Sequence, residues 1–330
     1  MSKQRILVTG GTGFLGSYIL QELIDHGYSV RALCRTAKDI SWIPSDIQTQ
    51  IEWVEGDILD VVSLEEAMQD VQAVIHSAAI VSFRSSERKR MYQVNVEGTA
   101  NVVNIALESG VPRLIHISSI AALGRTATES WVNEEHKWED NGVQTHYARS
   151  KFKAELHVWR GMAEGLEGLI LNPATILGYG DWSTGSCSLF KQIHDGFPWY
   201  TNGINGFVDV RDVAKATRLA LESSITEQRY LLCAENWTFR DLQQAMADGF
   251  GVNGPRREAT PFLLGLAWRM AVLKGWITGQ PQLLSKESAR VGVSQTRFDN
   301  QKWLQAIPSF QYRSLKETIE EACRLYRKAQ

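Results

Sequence analysis

Tyr147 and Lys151 stand four residues apart in a stretch of helical periodicity, so their side chains share one helix face. An ammonium beside a phenol stabilises phenolate and lowers a tyrosine pKa from its usual value near ~10. A tyrosine so placed gives or takes a proton near neutrality. Tyr312 and Lys316 repeat the spacing, but no sheet strand precedes them to aim them at a reaction site, and the first pair is preferred. Ser118 and Ser119 close an apolar run. A hydroxyl at the carboxyl end of a sheet strand can polarise a substrate oxygen; it serves equally well as a helix cap.

A glycine-rich turn precedes these groups. Thr9-Gly10-Gly11-Thr12-Gly13-Phe14-Leu15-Gly16 follows the first β-branched run and opens a helical segment. Such a turn lets backbone approach a pyrophosphate, whose charge the helix N-terminus then holds. Glycines also serve ordinary turns, but a strand before and a helix after are the context a dinucleotide requires. Contacts are expected from Gly10, Thr12, Gly13, Phe14 and Leu15. An NAD site usually offers a carboxylate at the end of the second strand. Here stand Cys34-Arg35-Thr36, with Lys38 behind and no acid until Asp39. A guanidinium suits a 2′-phosphate, which favours NADP(H) over NAD(H); a solvated surface arginine is the alternative. Asp57 and Ile58 fall where an adenine edge would lie, and Ser77, Ala78 and Ala79 leave room for a cofactor. Turn chemistry and tight packing explain the same residues.

These residues need a frame. Runs at 5–9, 29–33, 51–54, 71–76, 113–118 and 166–171 read as strands, and 14–26, 63–69, 88–109 and 146–164 as helices. The alternation predicts an α/β fold with a doubly wound parallel sheet. After residue 172 the pattern loosens, and from Trp237 onward it is mainly helical. The expected division is a dinucleotide-binding domain of residues 1–172 and 207–235, with a smaller, mainly helical substrate lobe of 173–206 and 236–330.

Composition narrows the function classes. The 330 residues allow a large core, and a net charge of -2 gives no reason to expect nucleic acid or an anionic membrane as partner. Cys34, Cys187, Cys233 and Cys323 form no C-x-x-C pair, which argues against a metal site and a disulfide framework and for a reducing compartment. No export signal is visible, and the apolar stretch 262–277 is interrupted by Arg269 and Lys274, short of the ~20 apolar residues of a membrane span. A cytoplasmic protein is expected. The stretch itself is read by default as a buried helix, with an oligomer contact or a pocket roof as alternatives.

As a set, the G-x-x-G-x-x-G turn, Ser119, Tyr147 and Lys151 resemble the extended short-chain dehydrogenase/reductase family, within the NAD(P)-dependent epimerase/dehydratase superfamily. Val94-Asn95-Val96-Glu97-Gly98-Thr99, Asn172-Pro173-Ala174-Thr175 and Phe207-Val208-Asp209-Val210-Arg211-Asp212-Val213-Ala214 resemble its recurring segments, so the likeness covers about residues 5 to 235. It implies a Rossmann domain with a catalytic Ser119, Tyr147 and Lys151. It also implies that Tyr147 and Lys151 contact the cofactor, Lys151 at the nicotinamide ribose, and that Pro173 lies by the nicotinamide. Asn95 would support a proton relay or serve structure alone. Homodimers through the helices of Asn95 and Tyr147 are common in the family.

Arg35 and Ser119-Ile120-Ala121-Ala122 are most similar to the dihydroflavonol-reductase, cinnamoyl-CoA-reductase and hydroxysteroid-dehydrogenase branch. Family dehydratases carry Asp-Glu where Ile120 and Ala121 stand here, which argues against dehydration. Leu169-Ile170-Leu171 lacks the arginine usual in sugar-nucleotide members, and Gly124 replaces the polar specificity residue of flavonoid enzymes. The resemblance implies an NADP(H)-dependent oxidoreductase reducing a small-molecule ketone or aldehyde, or oxidising a secondary alcohol in reverse. A sugar epimerase is the alternative. A redox-sensing binding protein on the same fold is a third reading, but such proteins typically lose the Tyr/Lys pair. Ser82, Phe83, Trp182, Trp199 and Tyr200 are candidate substrate contacts, although lobe aromatics also build cores.

Overall fold

Seven short β-branched runs pair into one parallel sheet in a computed structural model that describes residues 4–36, 43–125, 130–140, 142–278 and 285–329. Its strands are β1 (Arg5–Thr9), β2 (Ser29–Cys34), β3 (Ile51–Glu55), β4 (Ala73–His76), β5 (Arg113–Ile117), β6 (Glu167–Pro173) and β7 (Gln228–Leu232). They lie in the order β7-β6-β5-β4-β1-β2-β3. The order reverses beside β1, and in doubly wound sheets the crevice at such a switch point takes the ligand. Helices cover both faces, so strand interiors are apolar without polar alternation. Leu7, Val74, Leu114 and Ile170 pack on one face with Val102 and Val103 of α2 (Gly98–Glu108) and Val158 of α3 (His146–Ala163). Ile6, Ile75, Ile115 and Leu169 pack on the other with α1 (Phe14–Asp25) and α4 (Val210–Glu222). The expected sheet and its doubly wound covering are therefore present.

A second core lies beside the carboxyl ends of these strands. The segments Thr175–Leu177, Ile204–Asp209 and Glu235–Thr238 form a three-stranded mixed sheet. Phe207 from that sheet packs with Leu242 and Met246 of α5 (Phe239–Phe250) and with Ile319 and Cys323 of a C-terminal helix. Phe14 touches this core and the one under α1. All four cysteines are buried thiols.

Two expectations about helices need correction. The stretch 88–109 is not one α-helix: Arg88–Tyr92 is followed by a π-helical turn at Gln93–Glu97, and only then by α2. The wider turn carries Asn95, which accepts from Ile80 N at 2.7 Å and donates to Ile80 O and Ser150 Oγ, both at 2.9 Å. The apolar stretch 262–277 does form a helix, α6 (Pro261–Thr278), but it is not a buried one. Phe262 is 80% exposed and Met270 62%. In its described part, residues 261–270, apolar side chains such as Phe262, Leu266 and Met270 stand in solvent. No described helix is long and apolar enough to cross a membrane.

The outer edge of the sheet is sealed by Trp303. Its ring is fully buried, edge-on to Tyr230 of β7 at 5.4 Å and to Phe310 at 5.7 Å. Trp303→Ala should destabilise the protein by about 3–5 kcal/mol, seen as a lower urea midpoint at unchanged slope.

Candidate active site

The glycine turn is built by close approach. Gly10 has φ +74°, and a Cβ on it would fall 2.5 Å from the Ala78 amide nitrogen. A Cβ on Gly16, in the first turn of α1, would collide with the Gly10 carbonyl oxygen. Gly13 caps α1 without any side-chain hydrogen bond, which leaves the helix N-terminus open to an external acceptor. The adjoining cleft of about 520 Å³ is lined by Gly10, Thr12, Gly13, Arg35, Asp57, Ile58, Ser77, Ala78 and Ala79. An uncapped helix start beside an elongated cleft fits the diphosphate of a dinucleotide. Phe14 and Leu15 belong to the set differently, because both turn their side chains into the core. Lys38 lies outside the described residues. Sequence reasoning missed Arg90, which lines the cleft and pairs with Asp57 at 3.3 Å. Its basic neighbours Arg88 and Lys89 gave no sign which of the three would face inward.

At the end of β5 the chain turns into a 3-10 segment, Ile120–Leu123, capped by Ser119. Ser119 Oγ accepts from Ala121 N at 3.1 Å, and its hydroxyl lies close enough to the Tyr147 phenol to act on its charge. The cap and the site are thus one residue. Thr145 fixes the start of α3 by accepting from Ala148 N at 3.0 Å, and Glu287 accepts from His146 N at 3.1 Å, an anion at the positive helix end. Tyr147 is half-buried, with the Phe83 ring edge-on at 6.2 Å. Burial pushes its phenol up, and the neighbouring Ser119 hydroxyl draws it back. Lys151 directs its ammonium to the Ile117 carbonyl oxygen at 2.9 Å instead. Burial brings Lys151 down to about 8, against the pull of Glu155.

The remaining candidates are scattered. Pro173 is buried at the end of β6, one residue past Asn172. Ser82 is buried and accepts from Arg84 N at 3.1 Å, a local turn. Trp182 stacks on Tyr326 at 5.0 Å, so its ring belongs to the second core. Trp199 and Tyr200 lie under Arg257 and Arg240 at 5.6 and 4.9 Å. Tyr312 packs edge-on to Phe310 at 4.8 Å, while Lys316 is mostly exposed beside Glu320, so that pair makes no site. Arg125, also missed, follows Gly124 (φ +83°) and donates to Ser294 Oγ at 2.7 Å and Asn205 Oδ1 at 3.0 Å. It ties the loop after Ser119 to the second core's side of the molecule. Among the described residues there is no cluster of three or more His, Cys, Asp or Glu that could hold a metal.

Comparison with known proteins agrees with this geometry. Residues 6–233 match the model of the NAD dependent epimerase/dehydratase family. The chain is 32% identical over 262 residues to sterol demethylase protein B of Methylococcus capsulatus, covering 78% of each. It is 29% identical to a putative dihydroflavonol 4-reductase of Synechocystis, covering 96% of this chain and 92% of the relative. Cinnamoyl-CoA reductase 1 of Petunia hybrida is 30% identical, covering 72% and 74%. Among solved structures, gox2253 superposes with a TM-score of 0.82 at 26% identity, covering 99% of both chains. A UDP-glucose 4-epimerase of Thermotoga maritima gives 0.78 at 19% identity over 99% of both, a likeness of fold.

Gly16→Ala should weaken binding of a reduced nicotinamide dinucleotide at least about tenfold, because the new methyl must displace the Gly10 backbone from the turn. Titration of cofactor fluorescence measures it; unchanged affinity would refute the role given to the turn.

Proposed function

Because the chain belongs to the NAD dependent epimerase/dehydratase family, the extended short-chain dehydrogenases/reductases, we propose that it is an NADP(H)-dependent carbonyl reductase, working in reverse on secondary alcohols. The observation that carries this reading is the convergence at the carboxyl end of β5 of Ser119, which caps the turn after it, with Tyr147 and the buried Lys151 from one face of α3, Lys151 donating to Ile117 O at 2.9 Å. Gly10, Thr12 and Gly13 would hold the diphosphate, and Arg35, exposed at the end of β2, a 2′-phosphate. The bound nicotinamide supplies or accepts hydride. Ser119 orients the carbonyl oxygen, and Tyr147 gives that oxygen its proton. The Lys151 ammonium favours the phenolate left behind and would hold the nicotinamide ribose. Phe83, edge-on to Tyr147, would wall the substrate side, and residues 173–206 and 236–330 would form the substrate lobe.

Relatives named as reductases support reduction over epimerisation. The chain's own residues point the same way: Ile120 and Ala121 cannot exchange protons with a sugar, and Leu169-Ile170-Leu171, just before Asn172, holds no arginine.

NADPH oxidation against aldehydes, aryl ketones, steroids and acyl-CoA thioesters, with NADH as control, tests the reading. Turnover of at least one carbonyl is expected. Purified protein carrying NAD, and no turnover on any of them, would instead favour the epimerase. Tyr147→Phe should lower kcat by roughly 10²–10⁴-fold with cofactor affinity nearly intact, and retained activity would sink the assignment. Arg35→Ser should raise Kd for NADPH about tenfold or more while leaving NADH nearly unchanged. Equal effects on both would remove the case for the phosphorylated cofactor.

A further inference from the structure

α3 carries a third chemical group in step with Tyr147 and Lys151. Glu155 lies four residues beyond the lysine and is 1% exposed. A carboxylate so buried is strongly unfavourable unless its neighbours stabilise the charge. Its Oε1 accepts from Asn172 Nδ2 at 2.6 Å, and the same nitrogen donates to the Ser119 carbonyl oxygen at 2.9 Å. Its Oε2 lies 3.5 Å from Arg229 Nη1 of β7. Arg229 is fixed in turn, its Nε donating to Glu134 O at 2.9 Å. Burial pushes the Glu155 carboxyl up, and Ser118, Arg229, Asn172 and Lys151 draw it back.

We propose that Glu155 is a positioning residue for the catalytic group, fixing the Ser119 peptide through Asn172 and keeping Lys151 an ammonium through its charge. The first half rests on the reductase reading; the second concerns Lys151 alone and stands without it. The other groups facing Lys151 and Glu155 do not replace this carboxylate. Tyr147 shares their helix and is uncharged at neutral pH, its phenol pushed up by burial. His116 of β5 is kept neutral by burial, as is His76 of β4, held down to about 3. Ser118 and Asn172 carry no charge, and Arg229 is a second cation. Desolvation favours loss of the Lys151 proton and Glu155 opposes it. Removing the carboxylate therefore moves that loss to lower pH, and removing Arg229, which helps keep Glu155 ionised, moves it the same way by a smaller step.

The test is NMR of protein labelled at lysine Cε, titrated from about pH 6 to 10.5, with Lys151 assigned through Lys151→Met. Glu155→Gln should lower the Lys151 midpoint by about one unit or more. Arg229→Gln, at a less buried position, should lower it by a smaller step, because Glu155 then holds its charge less firmly, and carries the test if Glu155→Gln fails to fold. Where wild type turns over a carbonyl, the basic limb of its kcat/KM profile should follow the midpoint, and Asn172→Ser should lower kcat without moving the midpoint. A midpoint unmoved by Glu155→Gln or by Arg229→Gln, with only a lower Tm, would overturn the proposal and leave Glu155 a structural residue. Absence of turnover on every carbonyl would overturn the reductase reading, while the NMR result still decides the role of Glu155.

Discussion

Taking an ammonium out of water costs several kcal/mol, and Lys151 is 2% exposed. What offsets the cost is local: the carbonyl oxygen at the end of β5 accepts from its Nζ, and Glu155 opposes its charge from one turn further along α3. That contact joins α3 to the sheet edge. It places Tyr147, one turn earlier, against Ser119, which begins two residues after the same carbonyl. The strand end, the cap of the 3-10 turn and the start of α3 are therefore held as one unit. The π turn at Asn95 braces that unit from the side, because its amide holds both Ile80 and Ser150.

The dinucleotide cleft depends on a different constraint, the absence of side chains. α1 can approach β1 and the segment after β4 only because Gly10 and Gly16 present bare backbone. Its N-terminus then opens on the cleft without a cap. Arg35 and Arg90 bring two guanidinium groups to the same cleft, one from a strand end and one from the helix before the π turn. The parallel sheet makes this possible by placing strand ends and helix starts on one edge.

Away from that edge the chain is less specialised. Trp182, Trp199 and Tyr200 are aromatic residues with occupied faces, stacked on Tyr326 or lying under arginines. The first part of α6, residues 261–270, is the opposite case, with apolar side chains such as Phe262 and Met270 exposed. Its apolar composition suggested a buried helix by default, yet composition carries no information on how many neighbours a helix will meet.

The sequence by itself determined the elements whose physics is local. β-branched runs, the glycine turn and the four-residue step from Tyr147 to Lys151 each act within a few residues, so the doubly wound sheet, the strand–turn–helix at Gly10–Gly16 and the shared helix face of Tyr147 and Lys151 were legible. Tertiary structure alone decided what depends on contacts between distant segments. Asn172, singled out as part of a recurring segment, became the link between Glu155 and Ser119 only when β6 was laid beside β5. Arg90 met Asp57 across 33 residues, and Arg125 met Asn205 and Ser294 across 80 and 169. The spacing of Tyr147 and Lys151 likewise suggested that the lysine acts on the phenol directly. The fold instead set the phenol beside the Ser119 hydroxyl and turned the ammonium to Ile117, because the end of β5 supplies both neighbours at once.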